Sequence, residues 1–284
     1  MGCQCGKPAP AREYRPYRDE AMQWESPTST TQMAMPRLIK QETHPFGHSF
    51  YINIRLGAES PAKAMTGIFS PDGYRPEPSV DVILYLHGHK LYGVTPGMSV
   101  DSYWNKSRVP YFPLREGLAA ARKNVILVAP TLGPKSQAGK LLDPNGLDRY
   151  LDQVFQALAA HGPHQGISQP TLRNLILAGH SGGGSPMRRL ALSNQQSSAH
   201  IRECWGFDCL YNGGDPDLWA QWAIQHPQNR LFVYYLGSTE RLSKKLAAKG
   251  MPNVLVQHSS RGHNWVPMNH WKERIEGANF LKDI

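Results

Sequence analysis

An apolar run that stops at a serine set among glycines constrains the fold of this 284-residue chain more than any other feature. Residues 175–178 read Leu-Ile-Leu-Ala, which is typical of a strand buried on both faces, and residues 179–183 read Gly-His-Ser-Gly-Gly. The segment 186–193 that follows is compatible with a helix. Because so sharp a reversal needs residues without a Cβ, we expect Ser181 to lie on a strained turn with its hydroxyl pointing into a cleft.

Three glycine-rich motifs can be compared with this turn. A Walker phosphate loop requires Gly-Lys-Ser/Thr, which does not follow, and the glycines at 179, 182 and 184 give G-x-x-G-x-G where a dinucleotide site needs G-x-G-x-x-G. Gly179, Ser181 and Gly183 instead satisfy G-x-S-x-G in a strand–turn–helix context. The motif resembles the nucleophile elbow of the α/β-hydrolase superfamily. That resemblance implies a single α/β domain with a mostly parallel sheet, helices on both faces, and a serine esterase or lipase-like activity.

Length and composition fit this interpretation. A chain of 284 residues suffices for one large α/β domain, and 40% hydrophobic with 10% aromatic residues is ordinary for a folded protein. Neither an apolar segment within the first 30 residues nor a run of 18 apolar residues occurs, which indicates no Sec signal peptide and no membrane span. By default we expect a cytoplasmic location.

The charge bears on the partners that this chain can bind. The formal net charge of +9 can attract an anionic substrate, an acidic polymer or nucleic acid. No basic helix, zinc knuckle or aromatic–basic signature favours nucleic acid, so we expect a small-molecule or polymer ester substrate, with an anionic one included. The four cysteines lack further ligands at metal-binding spacing, and we expect no metal and no organic cofactor.

Residues 1–45 are rich in proline and polar residues and predict an extension without a core of its own, poorly structured or packed on the surface. The catalytic domain is expected over 46–284, where strands and helices alternate as in a mostly parallel sheet. The predicted strands are 46–56, 82–86, 125–130, 175–178, 204–211, 231–236 and 254–257, and the predicted helices are 115–123, 147–158, 186–193, 217–225, 240–248 and 271–281.

A second apolar strand, 82–86, ends in His87-Gly88-His89. In the α/β-hydrolase superfamily the loop after this strand carries a His-Gly motif, and a backbone N–H there points at the oxygen that becomes negative during acyl transfer. The resemblance therefore implies an oxyanion hole made by the amides of His89 and Gly182. For the His87 side chain itself we expect packing and hydrogen bonds with nearby backbone.

A serine hydroxyl is nearly inert at neutral pH unless a base removes its proton, and histidine is the usual base. His263 lies in a loop just after the last predicted strand, where the superfamily delivers its histidine. His258 at the strand end and His270 on the closing helix are the alternatives. His180 adjoins Ser181 in sequence, but the strand-to-turn geometry directs it away from the serine.

Two acidic residues follow strands in the order serine, acid, histidine. Glu240 follows the later strand, where the superfamily more often takes its acid, yet it also stands at a helix start, where a glutamate interacts with the helix dipole. Asp208 lies among apolar neighbours and would be costly to bury without a partner. We therefore favour Asp208 as the acid and keep Glu240 as the second choice.

Together these residues predict a serine hydrolase that cleaves an ester-type acyl bond through Ser181, His263, Asp208 and a covalent acyl-enzyme. An amidase, peptidase or acyltransferase could use the same serine, and a non-catalytic binding protein on a hydrolase scaffold is the alternative outside enzymes. The candidate residues of the substrate pocket are Tyr92 and Trp104, which lie in the long aromatic loop 91–114, and Trp265, which follows His263. Packing of this loop over the sheet edge is the alternative.

Overall fold

The structure is a computed structural model that describes residues 35–89, 99–106 and 112–284. Within these ranges nine strands form one sheet in the order β1-β2-β3-β5-β4-β6-β7-β8-β9. The strands are β1 (Leu38–His44), β2 (Gly47–Ile52), β3 (Thr66–Pro71), β4 (Ser79–Leu86), β5 (Ile126–Pro130), β6 (Thr171–His180), β7 (Ile201–Phe207), β8 (Arg230–Tyr235) and β9 (Val254–His258). The α-helices are α1 (Val100–Tyr103), α2 (Leu114–Ala120), α3 (Gly146–His161), α4 (Gly184–Ala191), α5 (Asp215–Gln225), α6 (Glu240–Ala247) and α7 (Val266–Glu276), and short 3₁₀ turns include Ser181–Gly183 and His263–Trp265.

The predicted α/β architecture with a mostly parallel sheet is confirmed. Every pairing among β4 to β9 is parallel, whereas β1, β2 and β3 form an antiparallel group that joins the rest where β3 pairs with β5. The carboxyl ends of parallel strands meet at one edge of the sheet. The loops after β4, β6, β7, β8 and β9 therefore converge at that edge.

Helices cover both faces of the sheet, as predicted. Helices α3 to α6 pack on one face, and α1, α2 and α7 pack on the other. Alternate residues of β4 serve the two faces, with Val82 and Leu84 in the first core and Ile83 and Tyr85 in the second, and all four are buried. Because both faces are covered, the strand has a continuous apolar sequence. No helix in the described ranges is long and apolar enough to cross a membrane.

The sheet begins earlier than the sequence predicted. Strand β1 lies inside the segment 1–45 that was assigned to the extension, and it pairs antiparallel with β2 along its length. Its half-buried positions are Leu38, Lys40, Glu42 and His44, so the side chains turned towards the protein are mostly polar. A strand of this kind lacks the alternation of apolar residues by which a sequence reveals strands. Residues 1–34 lie outside the described part of the chain.

Three further elements differ from the prediction, and one of them is the closing helix α7, which spans Val266–Glu276 where 271–281 was expected. Strand β3 was missed, because its six residues are all buried but only two of them, Ile68 and Phe69, are large and apolar. Strand β7 ends at Phe207, so Cys204 lies on the strand and Cys209 in the loop after it. Both cysteines are buried free thiols.

An ion pair between a buried carboxylate and a partly buried guanidinium joins β4 and β6, the strands that precede His87 and Ser181. Asp81 near the start of β4 is fully buried, and the guanidinium of Arg173 on β6 donates to both of its carboxylate oxygens, at 2.9 and 2.7 Å. Asn174 donates a further hydrogen bond of 2.8 Å to Asp81. Since β4 and β6 are neighbours, this pair fixes their register at the end of the sheet opposite to the site.

We expect Arg173→Met to lower the free energy of unfolding by about 3 kcal/mol, because it leaves the buried Asp81 carboxylate with a single amide donor. Urea unfolding at pH 7 measures the change. Arg241→Met, at an exposed arginine on α6, is the control and should change stability by less than about 0.5 kcal/mol. Equal losses in the two variants would show that the pair does not stabilise the sheet.

Candidate active site

Ser181 lies on the turn between β6 and α4 in the strained conformation expected from the sequence. Its φ is 53°, in the left-handed region that non-glycine residues rarely occupy. The turn is compact because glycine surrounds it: a Cβ on Gly183 would collide with the carbonyl of Leu86 at the end of β4, and one on Gly179 would come within 2.9 Å of the Gly183 carbonyl. The glycines thus let the turn approach the neighbouring strand closely.

Asp208 and His263, which lie 55 residues apart in the sequence, are in direct contact. The Nδ1 atom of His263 lies 2.6 Å from a carboxylate oxygen of Asp208, whose side chain is only 1% exposed. The other carboxylate oxygen accepts a hydrogen bond of 3.0 Å from the Leu236 amide and one from the Thr239 hydroxyl. Loops that follow β7, β8 and β9 therefore meet at this carboxylate.

The environment of Asp208 keeps its carboxylate ionised. Burial alone would raise its pKa, but the hydrogen bonds from His263, Thr239 and the Leu236 amide outweigh burial and hold the pKa below its ordinary value. The ionised Asp208 accepts a hydrogen bond from the N–H at Nδ1 of His263. That fixes the tautomer of the imidazole and leaves Nε2 free to act as a base.

The other candidates for acid and base have different surroundings. Glu240 lies in the first turn of α6 and pairs with Lys244 at 2.5 Å, which is the helix-terminal role that its sequence also suggested. His258 packs edge-on against Tyr235. His270 is buried and bonds Ser259 at 3.2 Å. Among these candidates, the pair in contact is Asp208 with His263.

His180 links the serine turn to the loop that carries His263. Its Nε2 lies 3.1 Å from the His263 carbonyl oxygen, which can only accept, so Nε2 carries the proton and donates. The two imidazole rings lie 4.6 Å apart between centroids. The side chain of His180 is directed onto His263, a contact that sequence reasoning missed although its place in G-x-S-x-G marks it.

His180 is neutral at any ordinary pH. It is 4% exposed, and burial, together with the nearby His263, lowers its pKa to about 3. A charge on His180 would oppose protonation of His263. The buried neutral ring therefore supports the His263 loop without adding a charge beside it.

The loop after β4 lies directly against the serine turn. A Cβ on Gly88 would come within 2.7 Å of the Ser181 Cβ, and the His89 ring packs against Gly182. The His87 side chain meets the expectation from the sequence: its Nε2 accepts from the Leu132 amide at 2.8 Å, so Nδ1 donates to the Gly88 carbonyl at 2.8 Å. His89 and Gly182 thus flank Ser181 from two adjacent strands.

A cavity of about 860 Å³ opens at Ser181. Its walls are His89, the segment 135–143, the first turn of α4, and residues Cys209, Tyr211 and Asn212 after β7. Two cations, Lys135 and Arg189, line it together with one carboxylate, Asp143. The segment 135–143 received no role from the sequence, because it holds no aromatic or catalytic pattern.

Two of the predicted pocket aromatics, Trp104 and Trp265, are not among the residues that line this cavity. Trp104 is 1% exposed and belongs to the core, where its ring fills the space over Gly67. Trp265 is 50% exposed and lies two residues from His263, with Arg261 over its ring at 5.7 Å. Tyr92 lies outside the described residues. Loop length and aromatic character therefore did not identify the residues that line the cavity.

Within residues 35–89, 99–106 and 112–284, no group of three or more His, Cys, Asp or Glu side chains could hold a metal ion.

No family model matches the chain, and comparison with curated proteins finds no match. Solved structures do match. An S-formylglutathione hydrolase from Agrobacterium tumefaciens aligns with a TM-score of 0.52 at 13% identity, over 84% of this chain and 97% of that chain. The feruloyl esterase module from Clostridium thermocellum aligns with a TM-score of 0.49 at 12% identity, over 85% of this chain and 88% of that chain.

We expect acid to destabilise the protein through His180. Its pKa is about 3 when folded against an ordinary value of 6.5, so between these values the unfolded chain binds more protons and stability falls as the pH falls. His180→Gln keeps an N–H donor but does not titrate. Between pH 7 and pH 5, the free energy of unfolding should therefore fall by about 2 kcal/mol less in His180→Gln than in the wild type.

Urea unfolding at the two pH values measures this difference. His48→Gln, at an exposed histidine, is the matched control and should keep the pH dependence of the wild type. If His180→Gln behaved as His48→Gln does, His180 would not be a buried neutral group.

Proposed function

We propose that this chain, which has the α/β-hydrolase fold, is a serine hydrolase that cleaves carboxylic esters through a covalent acyl-enzyme. The observation that carries the proposal is the 2.6 Å contact of His263 with the buried Asp208, at the sheet edge where Ser181 occupies a strained turn. A buried carboxylate that orients an imidazole is the arrangement a serine needs to become a nucleophile.

In the first half of the reaction, Oγ of Ser181 attacks the ester carbonyl carbon while Nε2 of His263 takes the hydroxyl proton. Asp208 stays ionised and stabilises the imidazolium through Nδ1. When the tetrahedral intermediate collapses, the bond to the alcohol oxygen breaks and His263 returns the proton to that oxygen. The alcohol leaves, and the acyl group remains on Ser181.

Water completes the cycle. His263 removes a proton from a water molecule as its oxygen attacks the acyl-enzyme carbonyl, and then gives that proton to Oγ of Ser181 as the carboxylic acid departs. In both halves the carbonyl oxygen becomes negative. We assign its stabilisation to the backbone amides of His89 and Gly182, which belong to the two loops that press against each other beside Ser181.

The charges of the cavity suggest the kind of ester. Lys135 and Arg189 are exposed side chains at its wall, and a single carboxylate, Asp143, lies among the lining residues. The chain as a whole carries a net charge of +9. We infer a preference for esters that bear an anionic group on the part of the substrate that reaches Arg189 and Lys135.

We expect Ser181→Ala to abolish hydrolysis of a p-nitrophenyl ester and labelling by a fluorophosphonate, because only an activated serine reacts with that probe. Ser185→Ala is the matched control, since Ser185 lines the same cavity from the first turn of α4. Ser185→Ala should retain both ester hydrolysis and labelling by the fluorophosphonate. Retained activity in Ser181→Ala, with the thermal stability of the wild type, would refute the proposed nucleophile. Turnover of a p-nitroanilide in preference to the ester would assign amide substrates instead.

We expect Arg189→Gln and Lys135→Gln each to reduce the preference for an anionic over a neutral ester by about two- to fivefold, the range of an exposed ion pair. The measurement is kcat/KM for mono(4-nitrophenyl) succinate divided by that for p-nitrophenyl butyrate. The preference should also weaken as ionic strength rises. Arg202→Gln, at an exposed arginine near the opposite end of β7, should leave the ratio unchanged. An unchanged ratio in all three variants would exclude charge recognition by the cavity.

A further inference from the structure

Tyr211 lies beside the nucleophile but has no part in the mechanism above. It follows Asp208 by three residues in the loop after β7 and lines the cavity at Ser181. Tyr211 is 45% exposed, and hydrogen bonding with the side chains of Ser181 and Ser238 opposes the effect of burial on the pKa of its phenol. A tyrosine hydroxyl next to the reacting oxygen affects the chemistry of that oxygen.

The backbone before Tyr211 holds the residue firmly in place. Asp208 has a φ of 47°, and its amide donates to the Tyr234 carbonyl at 2.7 Å. Cys209 and Leu210 are buried, and Cys209 packs so closely on Gly184 in α4 that a Cβ there would lie 2.5 Å from the Cys209 Cβ. The position of Tyr211 is thus fixed by the same segment that carries Asp208.

The backbone after Tyr211 is anchored as well. The amide of Asn212 donates to the Asp215 carboxylate at 3.0 Å, and the Asp215 amide donates to the Asn212 carbonyl at 2.9 Å. The turn therefore closes on itself at the start of α5. Tyr211 is exposed between these two anchored stretches of backbone, and it lines the cavity.

Ser238 comes from a loop that already supports Asp208. The loop after β8 contributes the Leu236 amide and the Thr239 hydroxyl to the Asp208 carboxylate, and Ser238 lies between these two residues. One loop therefore supports the acid and also carries the serine that lowers the pKa of the Tyr211 phenol by hydrogen bonding. This shared support couples the position of the phenol to that of the acid.

The phenol is able to act as a donor. Partial burial raises the pKa of Tyr211, and the charge of Asp208 raises it further, so the hydroxyl keeps its proton at neutral pH. A serine Oγ carries one proton and two lone pairs. If its proton goes to His263, a lone pair is left that can accept from Tyr211.

We infer that Tyr211 is a positioning residue, whose hydroxyl donates to Oγ of Ser181 and holds it in the rotamer that directs the serine proton to His263. Ser238 in turn donates to the oxygen of Tyr211. The chain of donors runs from Ser238 through Tyr211 and Ser181 to Nε2 of His263, so the hydroxyls of Tyr211 and Ser181 each give one hydrogen bond and receive one. This inference rests on the proposed function, because it assigns Ser181 as the nucleophile.

The test uses Tyr211→Phe, which removes only the hydroxyl. We expect kcat for a p-nitrophenyl ester and the rate constant of inactivation by a fluorophosphonate each to fall about fivefold, since a lost hydrogen bond to the reacting oxygen is worth about 1 kcal/mol. KM should change by less than about twofold, because the phenyl ring keeps its place in the cavity wall. Tyr235→Phe, at a tyrosine that ends β8 and packs on His258, is the matched control and should leave both rates unchanged.

Ser238→Ala provides a second arm. It should lower both rates by a smaller factor, and Tyr211→Phe combined with Ser238→Ala should be no slower than Tyr211→Phe alone, because Ser238 acts through the phenol. If Tyr211→Phe changed only KM, or if its inactivation rate equalled that of the wild type, Tyr211 would only line the cavity and the inference would be wrong. A wild-type protein that does not react with the fluorophosphonate would refute the proposed function itself, which distinguishes the two failures.

Discussion

A buried carboxylate governs the arrangement of the candidate site. Transfer of a charge out of water is costly unless hydrogen bonds replace the lost solvation, and Asp208 is almost completely buried. Its donors come from Leu236 and Thr239 in the loop after β8 and from His263 after β9. To satisfy one charge, the chain must bring three loops together at a single point. The positions of His263 and of Tyr211 are consequences of that requirement.

The parallel sheet makes this convergence possible, and close contacts between the backbones of the loops hold them together. Parallel order from β4 to β9 places the ends of these strands at one edge. The Gly183 backbone lies against the end of β4, and Gly88 lies against Ser181, so the serine turn and the His89 loop are pressed together without side chains between them. Any displacement of β4 relative to β6 would separate the two amides beside Ser181. The ion pair of Asp81 with Arg173 acts on that same strand pair from the far end.

The sequence predicted the central strands, because they are buried on both faces and have continuous apolar sequences. It also predicted the turn at Ser181, because that turn requires glycines. The choice of Asp208 over Glu240 followed from the cost of burying an acid among apolar neighbours, and the two residues do differ in this way in the structure. Strand β1 could not be predicted, since its inward positions are polar, and β3 has too few large apolar residues. Cavity walls depend on which loops meet in space. For that reason Trp104, aromatic and near the site in sequence, is found in the core over Gly67.

The polar inner positions of β1 have a consequence for the behaviour of the chain in a crowded solution. An open sheet exposes unpaired backbone groups along its outer strands, and a second molecule can add its own strand there and begin an aggregate. Among the described residues, strand β1 forms one border of this sheet, where Lys40 pairs with Glu42 at 2.9 Å and with Asp101 at 2.9 Å. A foreign strand docking at this border would have to desolvate those charges. The feature that hid β1 in the sequence thus protects the folded protein against unwanted self-association.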